Sequence, residues 1–183
     1  MRELHADALA TLRDWSAPTG DQEKLRRRLV DHLERHPDGV ARSCHPDHLT
    51  AGTLVLSPDG RRVLLNLHRK ARRWFAFGGH CEPADPTLAT TALREAREES
   101  GLTELALHPE PVHLDVHVVG FCDPRGPVSH LDVRYAALAD PADPGGASSE
   151  SLDVRWWPVD ALPDLEAEMH TLIGLARARL TAG

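Results

Sequence analysis

Hydrophobic positions in the first part of the chain recur at helical spacing in two stretches. The first stretch carries Leu4, Ala8, Leu12 and Trp15. After the break Ser-Ala-Pro-Thr-Gly, the second stretch carries Leu25, Leu29 and Leu33 on one face. Apolar residues that repeat every three or four positions are typical of amphipathic helices. The pattern therefore predicts two helices within residues 2–36, and Asp21 is placed to cap the second one.

Strand patterns follow in two pairs. Residues 48–56 and 62–68 have strand character, and the turn signal Ser-Pro-Asp-Gly between them predicts a hairpin. Residues 112–121 and 130–138 alternate between apolar and polar positions, which is the period of a half-buried strand. The sequence therefore predicts at least four strands.

The alternating strands place ionisable residues on one face. These residues are His113, Asp115 and His117 on the first strand and His130, Asp132 and Arg134 on the second. If the two strands pair antiparallel, the six groups cover one patch of the sheet. Such a patch is commonly exposed to solvent. The alternative is a polar floor for a substrate, with His117, His130, Asp132 and Arg134 as candidate contacts. A His-x-Asp-x-His run can also bind a transition metal, but one strand of this kind is weak evidence for it.

A last helical pattern runs over residues 164–180. Its inner face carries Leu165, Met169, Leu172, Ile173 and Ala176. The predicted order of helices and strands fits a mixed sheet between helices, an α/β/α sandwich. Residues 1–40 are interpreted as an N-terminal helical extension, and residues 41–183 as the domain that carries the chemistry. The extension is expected to pack on that domain or to build a dimer.

Composition narrows the classes of function. With 183 residues the chain fits one domain with a real core. Its 21 basic and 28 acidic residues give a net charge of −7, which argues against general binding of nucleic acid. No run of about 18 apolar residues exists, so neither a membrane span nor a membrane partner is predicted. The charged N-terminus lacks an apolar signal core, and a cytoplasmic location is expected.

The three cysteines, Cys44, Cys81 and Cys122, are far apart and form no Cys-x-x-Cys pair. Neither a disulfide framework nor a zinc knuckle is therefore predicted. Buried or idle thiols in a reducing cytoplasm are expected.

The candidate chemistry is concentrated in residues 78–102, where a glycine-bearing loop runs into a predicted helix. Glu95, Glu98 and Glu99 stand at i, i+3 and i+4, so they share an arc of roughly 100° on that helix. Three close carboxylates repel one another, and partial burial raises the cost of their charges. A hard divalent cation, Mg²⁺ or Mn²⁺, relieves this repulsion and prefers oxygen ligands. A solvated acidic patch is the alternative interpretation.

The same segment resembles the Nudix box, the signature of the Nudix hydrolase superfamily. Gly78-Gly79 match its start, and residues 94–102, REAREESGL, match its end. Asp85 stands where the box has its first glutamate, and eight residues rather than seven separate it from Arg94. The family is not expected to hold metal through that first glutamate. These departures are therefore interpreted as variation in the loop.

The resemblance covers about residues 48–180 and implies a Nudix-type α/β/α sandwich with a mixed β-sheet. It also implies a Mg²⁺- or Mn²⁺-dependent pyrophosphohydrolase, which cleaves a nucleoside diphosphate linked to another moiety. A bound divalent metal neutralises phosphoryl oxygens and makes a water nucleophilic. The implied metal ligands and catalytic residues are Glu95, Glu98, Glu99 and a loop acid, for which Glu150 is the first candidate and Asp153 the second.

Two further roles follow from the resemblance. The backbone carbonyl of Gly78 is expected to be an additional metal ligand. Arg94, one position before Glu95, is expected to point away from the acids and to pair with Asp85 or Glu98, which would hold the loop.

A cluster of cations precedes the glycine-bearing loop. It consists of Arg69, Lys70, Arg72 and Arg73. Cations beside a metal site are what a polyphosphate substrate needs, so these side chains are candidate phosphate contacts. The alternative is an exposed basic loop that aids solubility.

Other functions within the same fold stay open from the sequence. One is a ligand-binding regulator without catalysis, although all three glutamates are present. Another is an isomerase of isopentenyl diphosphate, for which Cys81 is suggestive by position. The expected partner is a small-molecule nucleotide or diphosphate substrate, which the sequence does not identify further. A homodimer is also considered.

Overall fold

The computed structural model describes residues 1–180, without the side chain of Phe121. The helices in that range are α1 (Arg2–Asp14), α2 (Gly20–Arg35), α3 (Leu88–Ser100) and α4 (Ala167–Leu180). The strands in that range are β1 (Asp47–Leu56), β2 (Arg62–His68), β3 (Trp74–Phe75), β4 (Phe77–His80), β5 (Ala106–Leu107), β6 (His113–Asp123), β7 (Gly126–Leu138) and β8 (Ser151–Pro158). Residues 181–183, which close the predicted domain, lie outside the described range.

All strands of the described range join one mixed sheet, with the order β3-β2-β1-β7-β5 along its main path. The centre is a parallel pair, in which β1 runs beside β7 from Asp47 opposite Ser129 to Leu56 opposite Leu138. The other pairings are antiparallel, with β4 on β1, β6 on β7 and β8 on β2. The predicted β1–β2 hairpin is confirmed.

Helices cover both faces of this sheet. Because successive strand residues point to opposite faces, β1 contributes side chains to both sides of the sheet. On one side the Thr53 hydroxyl donates a hydrogen bond to the Ala92 carbonyl of α3 at 3.0 Å. On the other side Leu54 packs in the cluster that contains Met169 and Leu172 of α4. The predicted α/β/α sandwich with a mixed sheet is confirmed.

The N-terminal helices pack on the same side of the sheet as α3. Their buried residues share one apolar cluster with Leu49, Ala51, Leu114 and Val133 of the sheet: Leu4, Ala8, Leu12, Leu29 and Leu33. The side-chain amide of Gln22 donates to the Leu114 carbonyl at 2.8 Å and accepts from its N–H at 2.7 Å. The Asp7 carboxylate accepts from the Leu88 N–H, at the start of α3, at 2.8 Å. The boundary at residue 40 stays a prediction.

Two local expectations were wrong. Thr19, not Asp21, caps α2, because its hydroxyl accepts from the Gln22 N–H at 3.2 Å while Asp21 lies inside the first turn and pairs with Lys24. The last helix begins at Ala167 rather than at residue 164. Glu166 therefore precedes the helix, and it forms an ion pair with Arg73.

Candidate active site

The helix α3 has a defined start and a defined end. Thr87 and Thr90 form a capping box at its start, in which each side chain bonds the other residue's backbone N–H. Gly101 ends it in the left-handed conformation, at φ 71°, which glycine adopts without strain. Between the caps, Leu88, Ala92 and Ala96 are buried. These contacts fix the rotation of the helix and therefore the direction of its acidic edge.

The three glutamates of α3 differ in exposure. The side chain of Glu95 is 15% exposed and that of Glu98 is 58% exposed, while Glu99 is half-buried. Burial raises the pKa of Glu99 to about 7, and the negative charges of Glu95, Glu150 and Glu98 add to the effect, against a hydrogen bond from the Gly78 N–H. Burial also raises the pKa of Glu95. The edge of α3 is therefore a place where negative charge is costly.

Two glycines of β4 allow the close approach of this edge. A Cβ on Gly79 would lie 2.7 Å from the carboxyl carbon of Glu95. A Cβ on Gly78 would lie 2.7 Å from the Gly52 Cα of the neighbouring strand. The Gly78 N–H donates to the Glu99 carboxylate at 2.9 Å. The double glycine therefore brings the backbone against the acids.

Arg94 contacts the acids, so the expectation that it points away from them was wrong. Its Nη1 donates to Glu95 at 2.9 Å and to Glu98 at 3.2 Å. Pairing with Asp85 or Glu98 was also expected, and both are present: Glu98 through Nη1, and Asp85 through Nε at 3.1 Å and Nη2 at 2.9 Å. Nη2 also donates to the His80 carbonyl at 2.9 Å. The long side chain carries the guanidinium to both the preceding loop and the acidic edge, which a count of about 100° per residue does not capture.

The donor set of this edge fits a hard divalent cation. It consists of carboxylate oxygens, which Mg²⁺ and Mn²⁺ prefer. Burial raises the pKa of Glu95 and of Glu99, so their negative charges are costly at this edge. Arg94 supplies part of the compensating positive charge at Glu95 and Glu98, and a cation held between Glu95, Glu98 and Glu99 would supply more.

The loop before β8 brings Glu150 to the same region. The charge of Glu150 raises the pKa of Glu99, whereas Asp153, the second candidate, pairs with Arg155 at 2.7 Å. The Glu150 carbonyl accepts from the Arg69 N–H at 2.9 Å. Of the two candidate acids, Glu150 is therefore the one whose charge reaches the α3 edge.

The predicted cation cluster lies beside this loop, but its members differ in their contacts and exposure. The Arg69 guanidinium donates to the carbonyls of Ser149 and Ser151, both at 3.0 Å, and so it holds the loop. Arg73 is paired with Glu166. Lys70 and Arg72 are exposed.

The six polar groups on β6 and β7 lie side by side, as antiparallel pairing predicts. His113 is opposite Arg134, Asp115 opposite Asp132, and His117 opposite His130. Solvent exposure, the first alternative, is wrong for one end of this face, the His113–Arg134 pair, because His113 is only 4% exposed and Arg134 only 7%. The face has its own charge network: Arg134 donates to Asp132 at 2.7 Å and to Asp115 at 3.1 Å, and His117 bonds Asp115 at 2.8 Å.

This polar face and the α3 glutamates lie on opposite sides of the sheet. Thr50 donates to Asp132 at 3.0 Å, whereas Thr53, which has the opposite parity on β1, donates to α3. The structure therefore does not bring His117, His130, Asp132 and Arg134 together with the acids on one surface. The shared strand β4 connects them, because Gly79 faces Glu95 while the next residue, His80, faces the His130 ring.

Sequence reasoning missed a second set of potential ligands. Two groups within the described residues have ligand atoms that all lie within 4.8 Å of one another, and neither contains the α3 glutamates. One group is His48, His80, Cys122 and His130. Its members come from four strands, so no short sequence motif predicts the group.

The chain matches a known protein family and a related sequence. The family model described as NUDIX domain matches residues 46–174. The chain is 32% identical over 114 residues to the "Oxidized purine nucleoside triphosphate hydrolase" of Danio rerio, an alignment that covers 61% of this chain and 67% of that protein.

Two solved structures are similar in fold. A NUDIX-family hydrolase from Clostridium perfringens has a TM-score of 0.55 and 24% identity, over 73% of this chain and 96% of that one. An Ap4A hydrolase from C. elegans has a TM-score of 0.55 and 21% identity, over 74% and 98%. Within the described residues, no helix is long and apolar enough to cross a membrane.

Proposed function

The chain belongs to the Nudix hydrolase family, and on that premise we propose that it hydrolyses a nucleoside diphosphate linked to another moiety, by attack of a metal-activated water. The observation that carries the proposal is the placement of Glu95, Glu98 and Glu99. They share one edge of α3, beside the backbone of Gly78 and Gly79. Both the cation and the diphosphate would be held at this edge.

Each acidic side chain has a proposed role. Glu95, Glu98 and Glu99 hold Mg²⁺ or Mn²⁺, with the Gly78 carbonyl as an additional ligand. When bound, the cation supplies charge neutralisation on phosphoryl oxygens and a water of lowered pKa. Glu150 is close enough to raise the pKa of Glu99, and one of these acids accepts the proton of the attacking water.

The basic residues have different roles in the proposal. Arg94 bridges Asp85 to Glu95 and Glu98, and therefore positions the acids rather than touching substrate. Lys70 and Arg72 are exposed beside the Glu150 loop and are the proposed phosphate contacts. Arg69 contributes through the loop that it holds, and Arg73 would need to exchange Glu166 for a phosphate.

The substrate class rests on the curated relative. Because the Danio rerio protein is an oxidized purine nucleoside triphosphate hydrolase and is 32% identical to this chain, oxidised purine nucleoside triphosphates are the first compounds to test. The cation at the α3 edge would bind the phosphates of such a substrate, so we propose that the phosphates lie there. His117 is on the other face of the sheet, so it would contact the substrate only if the base extended around β4.

The test is a panel of phosphoric anhydrides, assayed with Mg²⁺ or Mn²⁺ in ¹⁸O-labelled water. The panel contains nucleoside triphosphates and their oxidised purine forms, dinucleoside polyphosphates, nucleotide sugars, dinucleotide cofactors and coenzyme A derivatives. We expect cleavage of an anhydride bond, one ¹⁸O atom in a phosphate product, and loss of turnover on chelation. A variant with Glu95, Glu98 and Glu99 all replaced by glutamine should fold and be inactive.

Two other outcomes would contradict the proposal. Tight binding of a compound without turnover at any metal concentration would indicate a regulator. Isomerisation of isopentenyl diphosphate without phosphate release would indicate the isomerase, although burial raises the pKa of the Cys81 thiol to about 12, which makes it a poor nucleophile. A homodimer stays a prediction, which a measurement of mass in solution would test.

A further inference from the structure

Three imidazoles and one thiol converge on the polar side of the sheet. His48 lies on β1, His80 on β4, and Cys122 and His130 on the β6–β7 hairpin. The three imidazole ring centroids form a triangle in which every side is 5.1 Å. The Cys122 Sγ lies 3.2 Å from the His80 Nε2 and 3.4 Å from the His130 Nε2. All four ligand atoms are within 4.8 Å of one another.

These separations match the edges of a coordination tetrahedron. Metal–nitrogen bonds of about 2.0 Å and a metal–sulfur bond of about 2.3 Å place the sulfur of a coordination tetrahedron about 3.5 Å from each nitrogen. The Cys122 Sγ lies 3.2 and 3.4 Å from the two imidazole nitrogens, slightly less than that edge. A coordinated ion therefore fits between these side chains with small shifts of the rings.

His48 gives an independent indication of a ligand. The residue is fully buried, at 0% exposure, and its Nδ1 bonds the Cys44 carbonyl at 3.1 Å. A carbonyl only accepts, so Nδ1 carries the proton and Nε2 keeps its lone pair. That buried Nε2 has no hydrogen-bond partner. A backbone carbonyl behind one ring nitrogen is the usual support of a histidine that binds metal through the other.

We propose that His48, His80, Cys122 and His130 form a binding site for Zn²⁺ or a related transition-metal ion, separate from the α3 glutamates. Binding breaks the S–H bond of Cys122 and releases its proton to solvent, while the three imidazoles donate lone pairs and no electron is transferred. Nitrogen and thiolate ligands select such ions over Mg²⁺. Four protein ligands leave no open position, so the site is structural.

Such an ion would tie four parts of the chain together. It would join the long β6–β7 hairpin to β1 and to β4, immediately after Gly78 and Gly79. The His80 carbonyl also accepts from Arg94, which bonds Glu95 and Glu98. The ion would therefore stiffen the strand against which the acidic edge of α3 packs.

The direct test is titration of the purified full chain, stripped of metal, with Co²⁺ in excess Mg²⁺. Excess Mg²⁺ occupies hard oxygen sites, and only a cysteine-bound Co²⁺ gives a thiolate-to-metal charge-transfer band. We expect that band, tetrahedral d–d bands and a stoichiometry of about one ion per chain, followed by displacement with Zn²⁺. Absence of a thiolate band in the wild-type chain would overturn the proposal.

Variants locate the site. Cys122→Ser and His130→Ala should each weaken Co²⁺ and Zn²⁺ binding at least ~100-fold, because each removes a ligand rather than a supporting group. Cys81→Ser is the control: it also removes a thiol, one outside the four-residue cluster, and should leave the band unchanged. Cys44→Ser tests the other convergent group, His36, Asp38 and Cys44. If Cys44→Ser abolished the band while Cys122→Ser kept it, the proposal would be wrong.

The outcome does not depend on the hydrolase proposal. The variant with Glu95, Glu98 and Glu99 replaced by glutamine should keep the Co²⁺ thiolate band even though it is inactive. Conversely, an active enzyme without the band would leave the hydrolase proposal standing and remove this one.

Discussion

Two groups of potential metal ligands lie on opposite sides of the same sheet and differ in their donor atoms, their exposure and the elements that supply them. The α3 edge offers oxygen atoms from one helix, and Glu98 there is more than half exposed. The four-strand cluster offers nitrogen and sulfur atoms from buried or half-buried residues, with His48 fully enclosed. Oxygen donors suit Mg²⁺ and Mn²⁺, whereas nitrogen and thiolate donors suit Zn²⁺. Under the two proposals, one chain would hold two kinds of ion without competition between them.

The difference also concerns access. A cation that activates water needs open coordination positions, and an exposed helix edge provides them. A cation that only links strands needs none, and an enclosed face with four converging ligands suits that task. The two groups meet at β4, where Gly79 faces Glu95 and His80 faces the cluster. The following changes test this division.

Glu99→Gln is expected to have the largest effect, because it removes a charged ligand from the α3 edge and keeps its shape. Turnover should fall at least ~100-fold, while the unfolding temperature stays the same or rises, since a costly buried charge is lost. Steady-state kinetics and thermal unfolding measure the two effects. Glu104→Gln, an exposed acid beyond the helix, is the control and should leave turnover unchanged. Near-normal turnover of Glu99→Gln would remove that residue from the site.

Arg94→Ala should affect both sides of the division. The guanidinium bonds Asp85, Glu95 and the His80 carbonyl, so its loss leaves the buried Asp85 without its cation. We expect a loss of about 2 kcal/mol in the free energy of unfolding, measured by denaturant titration. Arg97→Ala, on the same helix but exposed, should cost much less. Equal losses in the two variants would show that Arg94 does not link the loop to the helix.

Gly79→Ala tests how closely β4 approaches the acids. Its Cβ would lie 2.7 Å from the Glu95 carboxylate, so that side chain has to move. Turnover should fall roughly 10-fold, with a smaller change in stability, because a displaced ligand misplaces the reacting groups. Gly120→Ala, where no atom lies within 4 Å of the new Cβ, is the matched control. Full activity of Gly79→Ala would mean that Glu95 is not held in place by this strand.

His113→Gln should have the smallest effect and tests whether the polar face is closed to water. Burial, with Arg134 adding to it, lowers the pKa of His113 to about 4, while Asp115 and Asp132 oppose the change. The unfolded chain, with a pKa near 6.5, binds the proton first as pH falls. Stability from this residue is present above that value and is lost between pH 6.5 and about 4.

Wild type should therefore lose about 1 kcal/mol more than His113→Gln between about pH 7 and about pH 5.5. Chemical unfolding at several pH values measures the difference. The same substitution at the exposed residue His170, outside this face, is the matched control variant. Identical slopes for His113→Gln and wild type would mean that water reaches this face.

Local sequence patterns predict most of the helices and strands, and they also predict the acidic edge of α3. They do not predict the cluster of imidazoles and a thiol. The helix with Glu95, Glu98 and Glu99 is encoded in consecutive residues, so its period of 3.6 places them on one edge before any tertiary contact forms. The pairing of His117 with His130 follows from alternation on two neighbouring strands. These features could be predicted because each depends on neighbours in sequence or on one strand pair.

Other features depend on distant parts of the chain. The cluster of His48, His80, Cys122 and His130 requires the parallel alignment of β1 with β7, which no local spacing reveals. The contacts of Arg94 depend on how the loop that contains Asp85 folds against α3, which local spacing does not specify. Burial of the polar face on β6 and β7 likewise results from the surrounding layers, since the alternation of the strands alone is equally compatible with exposure.

The hydrogen bond between Asp7 and the Leu88 N–H has a practical consequence. Any recombinant fragment trimmed to the family-matched region, residues 46–174, would lose α1 and with it the carboxylate that meets the first turn of α3. It would also uncover Leu49, Ala51 and Leu114, which α1 and α2 shield. Such a fragment should express poorly or aggregate, so screening for activity calls for the chain with both leading helices attached.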